Sequence, residues 1–399
     1  MLSFRRAILF FVASSAVVAF SASARAQFKP EDEKPGGVKF DKELVQRIRI
    51  GMKVKAVGGN CMGVYGTVPF PMDWPEQKVT VVGEEFSAAV KRRPNRQVDG
   101  TVQQMLVTIP QLKSGEEAVA LVTLEVHRRS ILPPDDTTVF SIPTKDQLDA
   151  DVKRYLSPSP KIESAHKSIK DLSKEILGGA KDKNAWEQVE AIYDWVRENV
   201  EYTNGPLKGA LAALKDKNGD CEELTSLFIA LCRAGNIPAR TVWVPGHCYP
   251  EFYLVDRSGQ GHWFPCQAAG SRAFGGIPEH RPILQKGDSF KDVDRPRERM
   301  RYLSEYLTGK VVKGGGEPHV RFIREDVATD KPLDDTTPDI SPIQPAQESK
   351  NPAEEGRPRA PIDGDDQPGD APIRPRIDPR APKLPPGVAP KPRQPVAPR

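Results

Sequence analysis

The segment NGDCEELTSLFIALCRAGNIPAR sets the tightest limit on the fold. Asp220 is a helix-capping residue, Leu224, Phe228 and Leu231 recur on one helical face, and Gly235 with Pro238 ends the run. Two strand-like runs, RTVWVPGHCYPEFYLV and GHWFPC, follow on either side of the turn DRSGQ. An apolar helix that feeds an antiparallel strand pair predicts an α+β unit. A second core-facing helix precedes it: Asn184 caps, Glu187 stands three residues on, and Trp186, Val189, Ile192, Val196 and Val200 keep helical spacing.

The flanks differ from this unit. From Ile48 to Ile142 short alternating apolar runs such as KVTVVGEEF, TVQQMLVTI and AVALVTLEVHRR are separated by Gly, Pro and Asn, which predicts a small antiparallel β-sandwich-like domain. With 39 prolines against 31 glycines in 399 residues, part of the chain is expected not to pack. That part is the C-terminal end, rich in Pro with interleaved Asp and Arg and nearly free of aromatics beyond Asp330; it cannot bury enough apolar surface to offset chain entropy. The expected division is a signal peptide over 1–26, a leader over 27–45, a β-rich domain over 46–150, an α+β domain over 151–310 and a disordered Pro-rich tail over 311–399.

Arg5 and Arg6 before the apolar run Ala7 to Phe20, followed by Ala24-Arg25-Ala26, form a secretory signal with cleavage expected before Gln27. The mature protein is expected to be secreted or periplasmic, in a bacterial cell envelope, with no transmembrane span after cleavage. Lys and Arg total 58 against 54 Asp and Glu, a net charge of +4 that does not indicate nucleic-acid binding. The basic stretch IRPRIDPRAPKLPPGVAPKPRQPVAPR at the end reads either as a spacer or as a contact for acidic envelope polymers.

Chemistry concentrates on Cys221 and His247. A cysteine in the first helical turn meets unpaired N–H groups and the positive end of the helix dipole, which favour thiolate. Folding the two strand-like runs about Arg257 sets His247 opposite Gln267, Cys248 opposite Cys266 and Glu251 opposite Trp263, so His247 and Gln267 share one face. His247 can then take the Cys221 proton while Gln267 holds the imidazole. Cys248 and Cys266 form either a cross-strand disulfide or two buried thiols. Cys232 is expected in the core, His262 as a surface or partly buried strand residue, Glu251 as structural support and Tyr202 as an ordinary core tyrosine. The spacing gives no metal site and no cofactor motif.

GDCEE, then GNIPAR, then GHCYPEFYL, then HWFPC resemble the core of the transglutaminase-like superfamily over about residues 185 to 270. The resemblance implies a papain-like thiol fold with Cys221 as nucleophile and His247 as general base. The family usually has Asp at the third position, where this chain has Gln267. What the resemblance implies is acyl transfer from a protein or peptide carboxamide to water or an amine, with no organic cofactor. The alternative is a catalytically inactive transglutaminase-like envelope binding or scaffold protein.

Overall fold

The computed structural model describes residues 38–296, 298–310 and 313–328. The expected signal peptide and the segment beyond 328 lie outside the described residues. The first strands are β1 (Lys39–Val57), β2 (Cys61–Phe70), β3 (Gln77–Phe86), the short β4 (Lys91–Arg92) and β5 (Arg96–Val98), β6 (Val102–Leu112) and β7 (Glu117–Leu132). In β1 every second residue from Ile48 to Ala56 is buried, the two-residue period of a strand with one face on a core.

The middle of the chain is helical. It comprises α1 (Ala150–Lys153), α2 (Lys167–Gly179), α3 (Ala185–Asn199), α4 (Ala210–Asp216) and α5 (Cys221–Ala234). The two-residue strands β8 (Glu201–Tyr202) and β9 (Asn218–Gly219) pair in parallel between them. Asn184 caps α3 by accepting the Glu187 N–H at 3.0 Å, and the Glu187 side chain accepts the Asn184 N–H at 3.1 Å. Trp186, Val189, Ile192 and Val196 are buried, as their spacing predicts.

Next come β10 (Ala239–Val244), β11 (His247–Val255), β12 (Gly261–Pro265) and β13 (Gln285–Lys286), in the order β12-β11-β10-β13. The run RTVWVPGHCYPEFYLV is thus two strands rather than one. Pro245 and Gly246 turn the chain so that Val244 pairs with His247, and Gly246 takes φ +67°, which glycine adopts without strain. Helix α5 packs on this sheet, and every residue from Cys221 to Arg233 is buried. Around it Trp186, Phe228, Phe252, Phe264 and Phe274 form an aromatic core, with Phe252 and Phe274 stacked at 5.0 Å.

After the ribbon of β14 (Phe290–Lys291) and β15 (Arg299–Met300), β16 (Tyr306–Lys310) and β17 (Glu317–Val327) rejoin the N-terminal strands. They complete two antiparallel sheets, β17-β1-β7-β3 and β16-β2-β6-β4, with β5 also on β6. Ile50, Met52, Val64, Val107, Ile109 and Leu124 fill the one core that these sheets share. The sheets approach so closely that a Cβ on Gly66 would stand 2.7 Å from the Met52 Cε. Two expected boundaries change. Residues 317–327, assigned to the tail, form a strand because Val320 and Phe322 add apolar surface to this core; Lys39–Val45, assigned to the leader, extend β1 along β7.

Buried polar contacts join the two parts of the molecule. Lys286 Nζ lies 2.6 Å from both Glu76 and Glu251, and Gln77 donates to the Ile283 carbonyl at 3.1 Å and accepts the Ile283 N–H at 2.6 Å. Arg128, fully buried on β7, donates to the Tyr249 hydroxyl at 3.3 Å.

Candidate active site

Helix α5 starts with a capping box drawn from its own sequence. Asp220 accepts the Glu222 N–H at 2.7 Å, and Glu223 reaches back to the Asp220 N–H at 3.2 Å. Glu223 also accepts the backbone N–H of Lys208 at 2.8 Å and of Gly209 at 3.2 Å, which fixes the loop beside the helix start. Cys221 follows the cap directly and is 1% exposed.

The Cys221 thiol is held well below the ordinary cysteine range. A hydrogen bond from the Cys248 thiol contributes most; burial opposes ionisation, and the hydrogen bond and positive charge of His247 favour it. The imidazole responds in the opposite sense. Burial pulls its pKa down, but the bond to and charge of Cys221 outweigh burial and Arg281, and the net shift is upward. Each group therefore favours the charged form of the other, a thiolate beside an imidazolium.

His247 is placed by the Pro245–Gly246 turn at the first position of β11. Its Nε2 lies 3.0 Å from Gln267 Oε1. An amide oxygen accepts only, so Nε2 carries the proton, and Nδ1 is the ring nitrogen left for Cys221. Gln267 is itself gripped by α3. Its carbonyl accepts from Tyr193 Oη at 2.9 Å and from Arg197 Nη1 at 3.0 Å, while Arg197 Nη2 donates to the Gly270 carbonyl at 2.8 Å. Thus Cys221, His247 and Gln267 come together from α5, β11 and the loop after β12.

The strand register differs from the expected one by two residues. Glu251 pairs with Pro265 and Val255 with Gly261, because the turn centres on Ser258 rather than Arg257. Asp256 builds that wider turn by accepting the Ser258 N–H at 2.9 Å and the Gln260 N–H at 3.0 Å. A shift of two keeps the parity of the faces, so the His247–Gln267 contact survives as a diagonal one. The opposition of Cys248 and Cys266 does not survive. All five cysteines are free and buried, so of the two alternatives for this pair the buried thiols hold.

Cys248 instead points at α5, with Sγ 3.8 Å from the Cys221 carbonyl oxygen. Cys232 is buried in the core, as expected. His262, expected at the surface or partly buried, is instead buried against Phe140 and Phe264, with Nε2 2.8 Å from Asp256 Oδ2; Glu251 is a buried support that accepts from Arg240 at 2.8 Å and from Lys286. Tyr202 departs from the core expectation: it is 43% exposed because β8 runs along the surface, pairing with Gly219 two residues before Cys221. Burial and the nearby Cys221 push its phenol up to about 12.

Sequence reasoning did not single out Tyr193, Arg197, Arg281 or Arg301. Arg281 is held by Glu279 at 2.6 Å, and both groups feel the charge of the site. Arg301 pairs with buried Glu222, whose carboxyl burial still pushes up to about 8. A signal existed for the first two, since Tyr193 and Arg197 stand four apart on one face of a helix whose core stripe was legible.

Residues 170–268 match the family model of the transglutaminase-like superfamily core. The chain carries a transglutaminase-like domain. The match contains Cys221, His247 and Gln267. An uncharacterized protein of Haemophilus influenzae is 33% identical over 108 residues, which cover 25% of this chain and 28% of that protein; the match thus spans under a third of the relative. Among solved structures, a protein of Cytophaga hutchinsonii provisionally named a cysteine protease is 18% identical, with a TM-score of 0.48 and coverage of 74% of this chain and 94% of that one. The periplasmic domain of TgpA from Pseudomonas aeruginosa is 13% identical, with a TM-score of 0.27, covering 55% of this chain and 89% of that one. Among the described residues no helix is long and apolar enough to cross a membrane, and no group of three or more His, Cys, Asp or Glu side chains is placed to hold a metal ion.

Proposed function

We propose that the transglutaminase-like domain is an exported thiol acyl-transfer enzyme acting on protein or peptide carboxamides. The observation that carries this reading is the meeting of Cys221 at a helix start with His247, whose far nitrogen is held 3.0 Å from Gln267. The Cys221 sulfur attacks the carboxamide carbon. Backbone N–H groups at the start of α5 receive the developing oxyanion, and His247 gives its Nδ1 proton to the nitrogen as the C–N bond breaks. The thioester then passes to water or to an amine; His247 takes a proton from the incoming group, and the thiolate returns. These steps need no organic cofactor.

Export is part of the proposal, supported by the signal sequence at 1–26, and the basic Pro-rich tail is the segment suited to acidic envelope polymers. A binding-only reading is favoured by two observations, the neutral amide of Gln267 in place of a carboxylate and the 1% exposure of Cys221. Iodoacetamide labelling of the purified protein across a pH series, with peptide mapping, separates the two. An enzyme labels at Cys221 well below the ~8.5 of an ordinary thiol, and loses that reactivity in His247→Ala. Labelling of Cys221 no faster than a free peptide thiol would overturn the catalytic reading.

A further inference from the structure

One buried nucleophilic group next to the site takes no part in the acyl-transfer steps. Cys248 follows His247 on β11, is 1% exposed, and directs its thiol at the N-terminus of α5. Its thiol donates toward the Cys221 carbonyl oxygen, with Sγ 3.8 Å away. Of the other thiols, Cys232 lies eleven residues along α5, about 16 Å at helical rise, Cys61 belongs to the core of the N-terminal sheets, and Cys266 follows β12 with its N–H on the Pro250 carbonyl.

We propose that Cys221 and Cys248 are a redox-active dithiol, a modification site in which a reversible disulfide between them withdraws the nucleophile. The inference rests on reading Cys221 as the reactive thiol of the domain. The two thiols are unequal in the way the chemistry requires. Cys221 is held well below the ordinary thiol range, whereas burial and the neighbouring Cys221 push Cys248 well above it. Oxidant therefore meets Cys221 first.

With hydrogen peroxide as the oxidant, the Cys221 thiolate attacks one oxygen, the O–O bond breaks, and the departing hydroxide takes the His247 imidazolium proton to leave as water. Cys221 is now a sulfenic acid. The Cys248 sulfur attacks the Cys221 sulfur, the S–O bond breaks, and the hydroxide leaves with the Cys248 proton as a second water. Two thiols have been oxidised by two electrons and one peroxide reduced to two waters. The Cys248 sulfur already stands against the residue it must bond, 3.8 Å from the Cys221 carbonyl oxygen. Resolution by Cys248 also keeps Cys221 from the sulfinic and sulfonic acids, which thiols do not reverse. A small thiol reopens the bond by exchange.

The test uses the reduced full chain treated with peroxide, then denatured, blocked with iodoacetamide and mapped without reductant. The expected result is a Cys221 peptide linked to a Cys248 peptide, with native-state labelling of Cys221 lost and restored by dithiothreitol. Cys248→Ser keeps a hydrogen-bond donor beside the sulfur but cannot resolve, so its Cys221 should accumulate sulfinic acid that dithiothreitol does not reverse. Sulfinic acid at Cys221 with Cys248 still a free thiol in the unsubstituted protein overturns the proposal, as does a bond to Cys232 or Cys266. The labelling rate of the reduced protein reports separately on the enzymatic reading: slow labelling with the linked peptide present defeats the thiolate and keeps the dithiol.

Discussion

Tyr193 and Gln267 are joined by a hydrogen bond of 2.9 Å from the phenol to the backbone carbonyl, and the same phenol oxygen accepts the Ala273 N–H at 2.9 Å. One buried hydroxyl therefore closes the loop that presents the Gln267 amide to His247. In Tyr193→Phe the ring keeps its contacts with Phe228 and Phe274, but the Ala273 N–H loses its acceptor. The expected cost is about 1–3 kcal/mol in urea unfolding, with slower alkylation of Cys221 at neutral pH. Lost stability with unchanged alkylation would mean that the hydroxyl supports the fold alone.

Gln267→Asp should widen the pH window of the site. The ion pair exists between the depressed pKa of Cys221 and the raised pKa of His247. Alkylation rises as pH climbs through the first; acyl transfer falls as pH climbs through the second, because the imidazolium that protonates the leaving amine is lost. A carboxylate on Nε2 stabilises the imidazolium, so the basic limb should move up by about 1 pH unit or more. Gln267→Ala should move it down, and His247→Ala should lower turnover by about 10²–10⁴-fold.

Much of the site was legible because its parts obey local rules. The Asp220 cap, the helical stripe of Leu224, Phe228 and Leu231, and the two-residue period of strands each act over a few residues. Parity also explains why a register wrong by two still placed His247 and Gln267 together. The rest depends on distant neighbours. Nothing near Cys248 in the sequence says that its thiol meets Cys221, and β17 carries too few apolar residues to announce itself until β1 stands beside it. Tyr202 read as a core residue because its aromatic character was visible and the surface path of β8 was not.

Lys286 should be costly to remove. Burial works against ionisation of Glu76, yet Lys286 and Arg128 hold its carboxyl down to about 2. A depressed carboxylate contributes stability that is present above the ordinary glutamate range and is lost as pH falls toward 2. Lys286→Met leaves Glu76 and Glu251 as buried charges without their shared ammonium, with an expected loss of about 3–5 kcal/mol in urea unfolding at neutral pH. Adding Glu76→Gln should recover part of it. The single variant should lose less stability than the natural chain between pH 5 and pH 3, and an unchanged acid profile would contradict the assignment.

Gly275→Ala tests the far end of the Gln267 loop. Gly275 has φ +74°, and a Cβ there would collide with the indole of Trp186 in the aromatic core. Both the strained backbone and the displaced ring should shift Gln267. Thermal unfolding should occur several degrees lower, with alkylation of Cys221 slowed in the still-folded fraction; alkylation at the original rate would separate the loop's far end from the site.

The pairing of β1 with β17 joins residues such as Val54 and Val320, with the helices and the entire thiol-bearing sheet inserted between them. During synthesis the first strand leaves the ribosome long before its neighbour exists. Helix α5 and the hairpin behind it make their contacts from nearby sequence and can assemble early, whereas the sheet edge along β1 stays open until nearly the last described residue has emerged. Ribosome-stalled chains of increasing length should therefore gain protease resistance around Cys221 before they gain it around Ile50, and the chain needs a way to keep that waiting edge from adhesion to other strands.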